Sequence, residues 1–304
     1  MSRIHEALKQ AAHGQEPALF PEELKANPSV VKKATRDNEL EQLSLSMPTR
    51  EKAITSVSDF SGLNELWQRC RKPGWKFDST YDVVSNGKPF APCAEQFGKL
   101  RAGLYQIRGN EPLNTLLVTS SVPAEGKSFV ALNLALAIMR QHNRYVLLVD
   151  GDLRMPRLAT CLGVPGIPGL TEFLQGTADE SSVIQTDAEG GLFFISAGSA
   201  VTNPAELLSG ERFESFLRRM VTLFDWIIID APPVLPVSDA SILAGRCDGV
   251  IVVVRAGSTS YEAVGTALQE LQGRRVLGII LNRAEEQAAY GAYSYYGGSG
   301  TEEK

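Results

Sequence analysis

Metal and disulfide chemistry have little to work with in this sequence. Its 304 residues hold four cysteines and three histidines. Cys70, Cys93, Cys161 and Cys247 lie far apart, with no C-x-x-C pair and no histidine at ligand spacing, which excludes a zinc site and a disulfide framework. The opening "MSRIHEALKQAAHGQEP" lacks the apolar core of a signal peptide. No apolar run reaches the length a bilayer requires; the longest, such as "GVIVVVRAG", are strand-sized. A cytoplasmic protein is expected, brought to the inner face of a membrane only by a partner. A surplus of positive charge is missing too: the formal net charge is −5, which speaks against a nucleic-acid partner. No H-R-D, D-F-G or A-P-E signature occurs, so the chain is not a eukaryotic-type protein kinase, and no zincin or G-x-S-x-G pattern points to a hydrolase.

What is present is a 43% hydrophobic content and a change of character near residue 90. Residues 1–90 read as a tethering segment, with a short helix over 2–12 and docking elements in "LNELWQRCRKPGWKF". Residues 91–286 read as one domain in which strand-length apolar runs alternate with helical patterns. The strands are expected at 115–120, 145–150, 192–197, 226–230, 249–254 and 276–281. Near-continuous apolar strands imply burial on both faces, and helical crossovers imply parallel pairing. The expected fold is a doubly wound, mostly parallel α/β sheet with ligands at the carboxyl ends of its strands. Residues 287–304 form a glycine-rich tail holding Tyr290, Tyr293, Tyr295 and Tyr296, half of the eight tyrosines in the chain.

The chemistry is concentrated at three strand ends. After the first strand, "SSVPAEGKSF" opens a helix and matches G-x-x-x-x-G-K-[ST], except that Ser121 stands at the first glycine. A small residue suffices there if the turn does not need a positive φ. Loop amides and a helix N-terminus make an anion nest, Lys127 can reach β- and γ-phosphates, and Ser128 can ligate magnesium. Ser121, Ala124, Glu125, Gly126, Lys127, Ser128 and Phe129 are therefore the candidate contacts for Mg²⁺-ATP. "WIIIDAPP" ends its strand in Asp230, the Walker B position for the metal, and "VLLVDGDLRMP" ends another in Asp150 and Asp152, followed by Arg154. Ser128, Asp150 and Asp230 are the candidate metal ligands. One carboxylate is left over, and phosphoryl transfer to a hydroxyl needs such a base.

Taken in order, these segments resemble the bacterial tyrosine autokinases (BY-kinases) of exopolysaccharide and capsule synthesis, relatives of ParA/Min-type P-loop ATPases. "TSSVPAEGKS" is similar to the family P-loop, "DGDLRMP" to its D-x-D-x-R-x-P motif and "IIIDAPPV" to its Walker B strand. "GLTEFLQG", "NPAELLSGERFESFL", "IVVVRAGSTS" and "GIILNR" follow in the family order, and the tyrosine tail completes the set. The resemblance implies that Lys127, Asp150 and Asp152 are catalytic, with one of the two aspartates as base. It implies that Asn282 and Arg283 meet the nucleotide base, and that Tyr290, Tyr293, Tyr295 and Tyr296 accept phosphate from a neighbouring subunit. It also implies self-association through the nucleotide site and tail, a membrane chain-length or polysaccharide-assembly protein as activator, and a phosphotyrosine phosphatase.

Two positions depart from the family pattern. Ala124 replaces a glycine, which is tolerated where the local φ is negative. Gly98 replaces the first arginine of the ring-forming E-x-x-R-x-x-R, leaving Glu95 and Arg101 with Lys99 beside the gap. Two other readings stand beside the kinase: a ParA/Min-type switch ATPase and a non-catalytic ATP-binding scaffold. The switch ATPases carry an extra lysine near the start of the P-loop, and "SSVPAEGKS" has none there.

Overall fold

The computed structural model describes residues 59–77, 80–84, 92–141, 144–187 and 191–284. The helix expected over 2–12 and the four tail tyrosines lie outside the described residues. The chain divides into Met1–Ser56 and Val57–Lys304, and the architecture below is that of the second unit.

Two helices, α1 (Asp59–Arg69) and α2 (Pro92–Asn110), precede β1 (Thr115–Ser120) and α3 (Lys127–Met139). Next come β2 (Val146–Asp150), α4 (Leu158–Leu162), α5 (Leu170–Gln175), α6 (Glu180–Val183), β3 (Ile184–Thr186) and β4 (Leu192–Ile195). The chain continues through α7 (Pro204–Ser209), α8 (Glu211–Met220), β5 (Trp226–Asp230) and α9 (Asp239–Ala244). It then completes the sheet with β6 (Gly249–Arg255), α10 (Tyr261–Glu270) and β7 (Val276–Asn282).

The sheet runs β3-β4-β2-β5-β1-β6-β7. Every pairing is parallel except β3 with β4. The expected doubly wound sheet is therefore present, and β1, β2 and β5 lie together in its interior. Alternate residues of each strand serve opposite faces. Leu117, Leu147, Val149, Ile227, Ile229 and Val252 join one core, while Leu116, Leu148, Ile228 and Val253 join the other. This is why the strands read as unbroken apolar runs. Helix α3 is buried from Val130 to Ile138, and accordingly it is hydrophobic all round. Each large apolar side chain buried in this way stabilises the fold by about 1.5–3 kcal/mol.

The stretch read as a tether contributes directly to this unit. Leu63, Leu66 and Cys70 are buried in the first core. Beyond α1 the chain pairs with the sheet edge: the Arg71 N–H donates to the Ile184 carbonyl at 3.1 Å, and the Thr186 N–H to the Arg71 carbonyl at 2.9 Å. Covering the short antiparallel edge strand removes a row of open donors and acceptors. At the other edge, β7 is only partly buried.

Candidate active site

The loop between β1 and α3 is held in shape from within the protein. Glu125 is buried, and its carboxylate accepts the Val122 N–H at 2.8 Å, the Arg255 N–H at 3.1 Å and the Thr259 hydroxyl. One side chain thus closes the loop on itself and ties it to the end of β6. The Glu125 carbonyl accepts Asn282 Nδ2 from the end of β7 at 2.8 Å. Gly126 has φ 98°, so the backbone conformation favours glycine, and a β-carbon there would stand 2.0 Å from Asn282 Nδ2 and displace that amide. Ser121 has no positive φ, which meets the condition for a small residue at the first glycine of the motif. Ala124 does not meet its condition. Its φ is 63°, in the left-handed region, so alanine holds a conformation that glycine would adopt without strain.

The acidic residues converge on the lysine of this loop. Asp150 and Asp230 face each other in register on β2 and β5. Lys127 Nζ lies 2.7 Å from Asp152 Oδ2 and 3.7 Å from Asp230 Oδ1. The other oxygen of Asp152 accepts the Met155 N–H at 2.9 Å. Asp150 Oδ2 accepts the N–H groups of Arg157 and Leu158 at 3.2 and 3.1 Å, fixing the turn into α4. Burial, with the neighbouring Asp230 charge, pushes the Asp150 carboxyl up to about 8. Burial pushes Asp230 up to about 6, with Lys127 pulling against it. For Lys127, burial favours the neutral amine, but Asp230 and Asp152 outweigh it and hold the ammonium above its ordinary range. Three acidic side chains thus face one ammonium, and burial relieves the imbalance by favouring the protonated forms of Asp150 and Asp230, which a bound cation would displace.

Asp150 Oδ1 and both carboxylate oxygens of Asp230 are buried without a hydrogen bond of ordinary length, the Ser128 hydroxyl and Lys127 being the nearest donors to Asp230. Such orphaned hard oxygens, next to a hydroxyl at Ser128, suit a divalent cation such as magnesium. Among the described residues no group of three or more histidine, cysteine, aspartate or glutamate side chains can hold a metal. Magnesium takes one or two carboxylates and completes its shell with phosphate oxygens and water.

The remaining expected residues are distributed unevenly. Asn282 stands against the loop, and the exposed Arg283 follows it with φ 56°. The Phe129 ring meets Phe97 of α2 at 6.0 Å between centroids, so its side chain serves helix packing. On α2, Glu95 pairs with Lys99 at 3.0 Å, and Arg101 Nη1 donates to the Ala137 carbonyl at 2.6 Å. A pocket of about 400 Å³ opens beside Gly98, where a β-carbon would meet nothing within 4 Å. The residue that sequence reasoning missed is Asp239, fully buried at the start of α9 and gripped by Arg154. No spacing pattern links positions 85 apart; the only available signal was the arginine of D-x-D-x-R, which needs an acid somewhere.

The family described as ParA, a NUBPL iron-transfer P-loop NTPase, matches residues 113–296. The tyrosine-protein kinase YwqD of Bacillus subtilis (strain 168) is 31% identical over 218 residues, covering 71% of this chain and 91% of that protein. The tyrosine-protein kinase CpsD of Streptococcus pneumoniae serotype 4 is 35% identical over 213 residues, 68% of this chain and 91% of that one. Among solved structures, the kinase domain of the Escherichia coli tyrosine kinase ETK superposes with a TM-score of 0.62. It is 31% identical and covers 69% of this chain and 84% of its own. No helix among the described residues is long and apolar enough to cross a membrane. A nucleotide loop flanked by strand-end carboxylates, in a chain matched along 91% of YwqD and of CpsD, settles the family: the chain belongs to the bacterial tyrosine-protein kinases, ATP-binding enzymes of the ParA-type P-loop NTPases.

Proposed function

We propose that the chain transfers the γ-phosphoryl group of ATP to tyrosines 290, 293, 295 and 296 of a neighbouring subunit, and so regulates polymerisation or export of a polysaccharide. The observation that supports this most is the meeting of Lys127 with Asp152 and Asp230 beside the orphaned oxygens of Asp150 and Asp230. In this reading the loop amides and the N-terminus of α3 cradle the phosphates, and Lys127 exchanges its carboxylate partners for phosphate oxygens. Ser128, Asp150 and Asp230 would hold a magnesium ion, which would neutralise charge on the phosphates when bound. Asn282 and Arg283, at the end of β7, flank the nucleotide base. The unpartnered oxygen of Asp150 supports a place on the metal side, and in this reading Asp152 is the base. The tyrosine proton passes to the Asp152 carboxylate, the phenolic oxygen forms its bond to phosphorus, and the bond to the ADP oxygen breaks.

Phosphorylation adds about −1.5 to −2 charges per tyrosine, so a modified tail is repelled from a site rich in carboxylates. That supports a cycle in which tail modification loosens contact between subunits and a phosphatase restores it. A membrane chain-length or polysaccharide-assembly protein would recruit and activate the kinase at the inner face of the membrane.

Intact-mass and peptide mass spectrometry after incubation with Mg²⁺-ATP tests the proposal, beside a Lys127→Ala control and with the cytoplasmic part of a candidate membrane partner. Phosphate on the 290–296 tyrosines that is absent from the control is the expected result. ATP consumed in the presence of the partner, with an unmodified tail, would overturn it in favour of a switch ATPase.

A further inference from the structure

Resting on the kinase reaction assigned above, we infer that Arg154 and Asp239 form a positioning latch that holds Asp152 in place once Lys127 turns to the nucleotide. Arg154 Nε lies 2.7 Å from Asp239 Oδ2, and its Nη2 lies 3.0 Å from Oδ1. This two-pronged pairing fixes direction as well as distance. Asp239 is fully buried, and α9 behind it is anchored by the buried side chains of Ala240, Leu243 and Ala244. The latch therefore joins a loop to a rigid part of the scaffold.

The need for it follows from what else holds Asp152. Its Oδ1 accepts the Met155 N–H, a contact inside its own turn, and its Oδ2 is held by Lys127. Gly151, just before it, is fixed by its N–H to the Asp230 carbonyl at 2.8 Å. When Lys127 engages phosphate, the 152–155 turn keeps its internal shape and the backbone tie at Gly151, but the Asp152 side chain loses its lateral tie. Arg154 sits inside that turn, and its grip on α9 supplies the missing restraint. Because α9 follows the loop that leaves Asp230, the latch also makes the β2 and β5 acidic loops move as one body. A lysine at 154 keeps the charge but not the fork, and it loses the directional restraint.

The test compares full-length wild type with Arg154→Lys, Asp239→Asn and the double variant Arg154→Gln/Asp239→Asn. The double variant leaves neither an unpaired carboxylate nor an unpaired guanidinium, so it separates loss of the coupling from the cost of one uncompensated charge. Three quantities are read: the rate of γ-phosphate loss from saturating Mg²⁺-ATP, the affinity for a non-hydrolysable ATP analogue, and the thermal midpoint. Displacing a reacting group by about 1 Å costs up to roughly 100-fold in rate, so each variant is expected to lose about 10- to 100-fold. Analogue affinity is expected to stay within about threefold, the signature of an interaction used in the transition state. The double variant should be no slower than Asp239→Asn, because both break one coupling. An unchanged rate in Arg154→Lys would overturn the latch. So would a rate loss matched by an equal loss of analogue affinity, or additive losses in the double variant.

Discussion

Ala124 holds a left-handed backbone, φ 63°, one residue before the carboxylate that anchors the loop and two before Gly126. An L-residue in that region is strained by about 1–2 kcal/mol, while glycine adds about 0.4–1 kcal/mol of unfolded-state entropy. The first outweighs the second, so Ala124→Gly is expected to stabilise the protein by up to about 1 kcal/mol in a urea melt. Ala124→Val is expected to lose stability, because a β-branched side chain is a worse fit at positive φ. The family glycine at this position was the visible signal; its reason, the sign of φ, lies in the fold. A second residue-scale consequence concerns charge. The folded protein holds Asp150 up to about 8 and Asp230 up to about 6, against an ordinary 3.8. Between these limits the folded state binds more protons than the unfolded chain, so nucleotide-free stability falls as pH rises. Thermal melts between about pH 5 and pH 9 are expected to show that fall, and Asp230→Asn to flatten it and melt higher at the alkaline end. The same substitution removes a carboxylate proposed for the metal, so activity is expected to vanish as stability grows.

Among the elements, α2 carries the clearest internal conflict. Gly98 sits within a 19-residue helix and has open space where a side chain would stand. Glycine in a helix interior costs about 1 kcal/mol relative to alanine. Gly98→Ala is therefore expected to raise the urea midpoint by an amount corresponding to about 1 kcal/mol, with ATP turnover unchanged. A loss of stability would mean that the pocket beside Gly98 closes on something the helix needs. Element by element, the sequence was most legible where physics is most repetitive. Runs such as "WIIID" and "VLLVD" are apolar on both faces because helices cover both sides of the sheet, so they announced buried parallel strands directly. Strand β3 escaped because it is three residues long, antiparallel and contains Gln185, which leaves neither a run nor an alternation to see. Helix α1 was visible as aromatic and apolar content, but its docking into the core through Leu63 and Leu66 is a tertiary fact. In the site, Lys127, Asp150, Asp152 and Asp230 were legible as positions because each ends a strand, follows one closely or opens the helix after it. The partners that hold them, Thr259 for Glu125 and Asp239 for Arg154, come from distant segments and had no local pattern.

At the scale of the whole molecule, the sheet order brings the ends of β1, β2 and β5 together and leaves their charges unbalanced. The folded protein is thereby poised for a ligand that is anionic toward Lys127 and the loop amides and cationic toward Asp150 and Asp230. Nucleotide and metal should each bind poorly alone: free ATP meets uncompensated carboxylates, and free magnesium lacks the phosphate oxygens that complete its shell. A ligand that binds only the native state stabilises it by about 2.7 kcal/mol at 100 times its dissociation constant. Mg²⁺-ATP is therefore expected to raise the thermal midpoint by several degrees, and ATP with a chelator to raise it much less. Lys127→Ala should melt lower without nucleotide, since it strips the one ammonium from three buried carboxylates, and should gain little from Mg²⁺-ATP. If ATP with chelator stabilised as well as Mg²⁺-ATP, the orphaned oxygens of Asp150 and Asp230 would not be metal ligands. Their role would then be to repel the spent, charged product.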